Sequence, residues 1–185
     1  MYSQLTTAPP VPETSRMPFT PEQIAALWEI QDEPWVDTVL VFLYTGFRLM
    51  ELLNMQTEQV DLQQKTFQGG IKTAAGKGRI VPIHPKILPF VQAWAQHGHK
   101  YLLTADGKKL SKQKYYECWA EVMDRIGADK TPHEARHTFE TSLDNAKANR
   151  KCIDLLMGHK SKDVGNRVYN HKTLEQLRET ILLLE

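Results

Sequence analysis

Cysteine is scarce in this chain, with two in 185 residues. Two are too few for a disulfide framework, so Cys118 and Cys152 read as small buried apolar residues of a protein in a reducing cytoplasm. No run of about eighteen apolar residues occurs, so no membrane-spanning helix is expected. The opening residues Met1-Tyr2-Ser3-Gln4-Leu5-Thr6 lack the basic-then-apolar order of a secretory signal. There is also almost no surplus of charge, the formal net being +1. Acids are missing altogether between Asp61 and Asp106, whereas Lys65, Lys72, Lys77, Arg79, Lys86 and Lys100 lie in that stretch. A near-neutral protein with an acid-free basic stretch can still attract phosphates locally.

What is present is the composition of a soluble globular protein, 41% apolar and 24% charged, long enough for one well-cored domain, or one domain plus an arm. Pro9, Pro10, Pro12 and Pro18 among Ser and Thr mark residues 1–18 as an extended linker or arm. The domain is expected over 19–185. Thr20-Pro21-Glu22-Gln23 supplies an N-cap, a proline at the first helical position and a capping-box glutamine. Trp35 to Tyr44 is nearly all apolar and predicts a buried helix ending near Gly46. A short helix from Arg48 to about Asn54 follows, with Arg48 and Glu51 three apart on one side. Gln59–Leu62, Thr66–Lys72 and Arg79–Ile83 read as short strands parted by turn residues. Further helices are expected at about 86–97, 111–126, 133–145, 150–157 and 173–184. The predicted fold is therefore mainly α with a small three-stranded antiparallel β-sheet.

Cleaving a phosphodiester with a protein hydroxyl needs fixed cations facing the equatorial oxygens, where negative charge builds up. Arginine suits that role because its planar fork stays protonated and contacts two oxygens at once. Arg48 and Arg136, on separate helices, can clamp a phosphate from two directions. His133 and Arg136 are three apart after Thr131-Pro132, which places the histidine in the first turn of a helix, where anions are favoured. The leaving oxygen needs a proton. Lys72, on the second strand before the turn, is the preferred general acid, and Lys77 in the turn is its rival and a backbone anchor. Lys77 and Arg79 are expected to contact DNA. Tyr169 is the candidate nucleophile, needing basic or cationic neighbours. His159, after the helix-ending Gly158, can touch the phosphate or orient the tyrosine. A zinc site on His84, His97 and His99 lacks cysteine or acid partners.

These residues stand in boxes that resemble the catalytic domain of the tyrosine recombinases, the group of phage integrases, Xer-type recombinases and integrases of conjugative transposons. Thr45-Gly46-Phe47-Arg48-Leu49-Met50-Glu51-Leu52 is similar to the first arginine box. Pro132-His133-Glu134-Ala135-Arg136-His137-Thr138-Phe139 resembles the His-x-x-Arg box. Leu155-Leu156-Met157-Gly158-His159 with Tyr169-Asn170-His171 resembles the C-terminal box, and Ile80-Val81-Pro82-Ile83 the strand after the catalytic lysine.

The resemblance implies a metal-free and cofactor-free transesterification of double-stranded DNA, in which Tyr169 forms a 3′-phosphotyrosyl link and frees a 5′ hydroxyl. Arg48, Lys72, His133, Arg136, His159 and Tyr169 would form the site, with Glu51 steadying Arg48 or the fold behind it. It further implies self-association on DNA through the C-terminal helix, where Leu174, Leu177, Ile181 and Leu184 make an apolar stripe; packing on its own domain is the alternative. Family members carry an N-terminal helical core-binding domain, which is expected to be absent from this sequence. A type IB topoisomerase-like enzyme, or a DNA-binding remnant that no longer cuts, are the competing readings. The DNA sequence recognised is not encoded in these patterns, because base readout depends on groove placement.

Overall fold

The first helix starts where Thr20 and Gln23 exchange hydrogen bonds. The Gln23 amide donates to Thr20 Oγ1 at 3.3 Å, and the Thr20 amide to Gln23 Oε1 at 3.0 Å. This is α1, Pro21–Glu29. The computed structural model describes residues 17–69, 79–159 and 173–185.

The second helix, α2 (Val36–Thr45), is the centre of the core, and nearly all of its residues are buried. Burial on every side explains a sequence that is apolar all round rather than striped. It ends at Gly46 in the left-handed region, φ 61°. A Cβ there would lie 2.5 Å from Cδ1 of Phe139, so glycine allows both the turn and the close approach of a neighbouring helix. α3 (Leu49–Leu53) follows directly, with Arg48 as its N-cap.

A three-stranded antiparallel sheet comes next, β1 (Val60–Asp61), β2 (Thr66–Gly69) and β3 (Arg79–Pro82), in the order β1-β2-β3. Phe67 pairs with Val60 on one side and Val81 on the other, and Gly69 pairs with Arg79. Along β3, Arg79 and Val81 are buried while Ile80 is exposed, the alternation of a strand with one face on a core.

The chain then returns to helix with α4 (Leu88–Gln96). One element lies outside the sequence expectation. Thr104–Ala105 and Lys108–Lys109 pair as a hairpin, β4 and β5, turning through Asp106 (φ 50°) and Gly107 (φ 73°). Asp-Gly with both φ positive is the favoured two-residue turn for antiparallel strands. Next come α5 (Lys112–Arg125), α6 (Pro132–Asn145), α7 (Arg150–Met157) and α8 (Leu174–Ile181). α6 packs along α2, and α8 lies on β3 and α7.

Three of the four residues of the C-terminal apolar stripe pack on their own domain, while Leu174 is half-buried. Leu177, Ile181 and Leu184 are buried in the common core, and Tyr44 donates its hydroxyl to the Glu185 carbonyl. Leu182 and Leu183 remain exposed. No helix among the described residues is long and apolar enough to cross a membrane.

Candidate active site

Three arginines and one carboxylate meet where α3, β3, α6 and α7 come together. Glu51 sits in the first turn of α3 and is almost fully buried. Its Oε2 accepts from the Arg48 amide at 2.7 Å, and its Oε1 lies 3.4 Å from Arg48 Nη1. The same carboxylate takes a two-pronged contact from Arg79, Nη1 to Oε1 at 3.2 Å and Nη2 to Oε2 at 3.1 Å. Arg48 therefore has its backbone fixed by Glu51 while its side chain stays 47% exposed. That is the geometry of a cation presented to a ligand from a rigid base.

Arg136 comes from the second turn of α6 and is buried. Its Nη1 donates to the Gly46 carbonyl, and its Nη2 to the Met157 carbonyl at 2.7 Å. It is thus tied to the ends of α2 and α7 by backbone oxygens. Burial, and then the charges of Arg48 and Arg79, push its guanidinium down to about 10. It remains cationic at neutral pH. Glu51 is bonded to Arg48 and Arg79, and Arg136 to backbone carbonyls and His159, so among the described residues one carboxylate faces three guanidiniums and the cluster holds a surplus of positive charge, as a phosphate site requires.

His159 joins this cluster. α7 ends in a left-handed Gly158 (φ 63°), with the Gly158 amide bonded to the Leu155 carbonyl and the His159 amide to the Asp154 carbonyl. This paired closure is a common helix stop, and it needs glycine. It turns the imidazole back so that Nε2 lies 3.2 Å from Arg136 Nη2. A guanidinium has only donors, so Nε2 accepts in that contact. His159 Nδ1 lies 3.6 Å from Asp154 Oδ1.

The structure therefore brings Arg48, Arg136 and His159 together, with Glu51 behind them. His133 stands in the first turn of α6, one turn before Arg136, with its side chain on the surface. Lys72, Lys77 and Tyr169 lie outside the described residues. Arg79 requires a correction. The sequence placed it at the DNA, but its side chain is 3% exposed and both Nη atoms are taken by Glu51 and the Met157 carbonyl. Its guanidinium carbon also lies 5.0 Å from the centre of the Phe47 ring. The β3 alternation held the signal: with Val81 facing inward, a residue two positions earlier must face inward too. Sequence reasoning also passed over Asp154 and the Met157 carbonyl. A backbone oxygen leaves no mark in a sequence.

As for metal ligands, no group of three or more His, Cys, Asp or Glu among the described residues could hold an ion. His97 and His99 stack on each other, and His84 packs on Tyr44 in the core.

Comparison with known proteins agrees with this geometry. The family model described as "Phage integrase family" matches residues 19–176. The tyrosine recombinase XerA of Pyrococcus furiosus is 26% identical over 185 residues, covering 94% of this chain and 63% of the relative. Among solved structures, the integrase of mycobacterium phage Brujita superposes with a TM-score of 0.74 at 19% identity, covering 97% of this chain and 62% of that one. The Tn1549 transposon integrase, solved in complex with circular intermediate DNA, gives a TM-score of 0.67 at 23% identity over 94% of this chain and 65% of that one. The chain thus spans slightly less than two thirds of the length of these proteins. The structural likenesses establish the fold as that of an integrase catalytic domain.

Proposed function

The chain belongs to the phage integrase family, and from that membership we propose that it carries the strand-cleaving and rejoining chemistry of a site-specific DNA recombinase. Tyr169 Oη attacks the scissile phosphorus, its proton passing to His133. The bond to the 5′ oxygen breaks as Lys72 protonates that oxygen, leaving a 3′-phosphotyrosyl link. A 5′ hydroxyl from a second strand reverses the step. The bond energy is retained in the phosphotyrosine, so no nucleotide cofactor is needed. Arg48 and Arg136 hold the non-bridging oxygens and meet the charge of the transition state. His159 donates to the same phosphate or orients the tyrosine once Arg136 turns to its ligand.

The observation that supports this reading best is the convergence of Arg48 at the start of α3, Arg136 on α6 and His159 just past α7, beside the buried Glu51–Arg79 pair. Such a cluster costs stability through like-charge repulsion unless an anion completes it. Double-stranded DNA is the partner in this proposal, acted on in the cytoplasm. Any self-association on DNA would fall to Leu174, half-buried at the start of α8, and to Leu182 and Leu183, exposed just past its end, since Leu177, Ile181 and Leu184 are already buried.

The test uses nicked duplexes carrying the cognate core site, so that the released strand diffuses away and traps the intermediate. A covalent adduct that survives denaturant and EDTA, and is missing for Tyr169→Phe, is the expected result. Absence of adduct from the full-length protein on its native site would defeat the proposal. Relaxation of supercoiled plasmid without exchange between duplexes would turn it toward a topoisomerase.

A further inference from the structure

We infer that Arg79 is a positioning residue for this site, a buried fork that sets Arg48 and the Arg136–His159 pair in register with each other. The inference rests on the recombinase reading for its chemistry, but its geometry stands apart. Arg79 reaches two acceptors on different elements, the Glu51 carboxylate on α3 and the Met157 carbonyl at the end of α7, the latter at 3.0 Å. Each acceptor serves an active-site arginine as well. Glu51 Oε2 takes the Arg48 amide, and the Met157 carbonyl takes Arg136 Nη2. His159 follows Met157 by two residues and touches that same Arg136 nitrogen. Arg79 is therefore the bridge between the half of the site built on α3 and the half built on α6 and α7.

Two further observations fit positioning better than mere stability. The neighbourhood is cut to the guanidinium: Gly158 has no side chain where a Cβ would meet Arg79 Nη1 at 2.5 Å. Further, Arg79 Nε is buried without a hydrogen-bond partner among the described residues. An inward strand position that wanted only stability could be filled by an apolar side chain with no orphaned donor. Without the fork, Glu51 would be a buried anion with Arg48 as its remaining cation, and the exposed guanidinium would be drawn inward, away from a phosphate. The α7 terminus would lose one of its two anchors.

A lysine at this position keeps the charge but not the reach, since one ammonium cannot match the planar fork. Arg79→Lys in the full chain should fold, as judged by near-ultraviolet circular dichroism. It should bind duplex DNA within about twofold of the parent, with the same salt slope. Single-turnover cleavage at saturating DNA should fall by about tenfold or more, because reacting groups held slightly out of place lose rate rather than affinity. The side-chain ¹⁵N resonances of His159 should move in the DNA-free protein. Arg79→Gln, whose donors sit on one uncharged nitrogen and cannot span both acceptors, should show the same pattern more strongly and replaces the lysine variant if that does not fold.

In Arg79→Gln, which removes the charge, weaker DNA binding with a salt slope reduced by about one, and unchanged cleavage at saturation, would return Arg79 to the DNA surface and overturn the inference. Unmoved His159 resonances with unchanged cleavage would overturn it too, as would failure of both variants to fold, which leaves a structural role alone. If the parent itself forms no adduct, the recombinase reading fails by itself, and the His159 resonances still decide whether Arg79 positions that side chain.

Discussion

Arg79 and Arg136 donate to the same acceptor, the carbonyl oxygen of Met157, at 3.0 and 2.7 Å. Two like charges share one oxygen because each is compensated differently. Arg79 has the Glu51 carboxylate in a two-pronged contact. Arg136 is held through its Nη atoms by backbone carbonyls and the His159 ring. Arg79 is thereby neutralised in place, whereas Arg136 keeps an unbalanced positive charge for a ligand. The same asymmetry appears in exposure, with Arg48 half open to solvent and Arg79 sealed.

Glu51→Ala should be among the most damaging single changes. It leaves the Arg79 guanidinium buried without a counter-ion and uncaps the Arg48 amide. Breaking a buried pair from one side costs about 3–5 kcal/mol, readable as a fall in unfolding free energy in urea. Glu51→Gln keeps an acceptor for the amide and should lose clearly less.

Gly46→Ala should destabilise by roughly 2–4 kcal/mol, from the left-handed backbone and from overpacking together. The added carbon would meet Cδ1 of Phe139 at 2.5 Å and Sδ of Met157 at 3.0 Å. Trimming the facing ring in Gly46→Ala/Phe139→Leu should recover the packing part of that loss and leave the backbone part. Equal destabilisation in the single and double variants would count against a clash with Phe139.

Much of this layout is legible in the sequence, for local reasons. The capping groups of α1 and α6, the apolar run of α2 and the glycines at 46 and 158 each act within a few residues, so pattern reading finds them. The grouping of Arg48, Arg136 and His159 is legible only through the resemblance of their boxes to those of the tyrosine recombinases. The place of Arg79 does not follow from anything local, because its partner Glu51 is 28 residues away and a charged side chain is read as solvated by default. The missed hairpin is different in kind: Ala105-Asp106-Gly107-Lys108 holds the turn signal, but strands of two residues are too short to show alternation. The terminal stripe illustrates a third limit. Spacing says that Leu177, Ile181 and Leu184 are buried, but not against what.

Stability should depend on pH through His84. Burial and then the neighbouring Lys86 charge lower its pKa to about 4, against a partial offset from a hydrogen bond with the Leu184 backbone. Its Nδ1 also accepts the Lys86 amide at 3.2 Å, which requires that nitrogen to be unprotonated. The folded state thus prefers the neutral ring, and between the two pKa values the unfolded chain binds more protons. This contribution is complete above about pH 6.5 and is lost as pH falls toward 4, to a limit of about 3 kcal/mol. His84→Asn, whose side-chain oxygen can replace the cap, should flatten that part of the urea-midpoint profile. A parent and variant with parallel profiles from pH 7 to 4.5 would remove His84 as the cause.

The two lysines of the β2–β3 connection should separate by chemistry rather than by the size of their defects. A general acid is needed only while the leaving group is poor. Replacing the scissile 5′ oxygen by sulfur gives a thiolate that leaves without a proton. Lys72→Ala should therefore slow cleavage of the ordinary substrate by about 10²–10⁴-fold and be largely restored on the sulfur-bridged one. Lys77→Ala should weaken DNA binding across sequences, reduce the salt slope by about one and gain nothing from sulfur. The opposite assignment, with sulfur rescuing Lys77→Ala alone, would transfer the acid to Lys77 and leave Lys72 as the backbone anchor. Rescue of neither would mean that proton delivery to the leaving oxygen comes from a residue outside this pair.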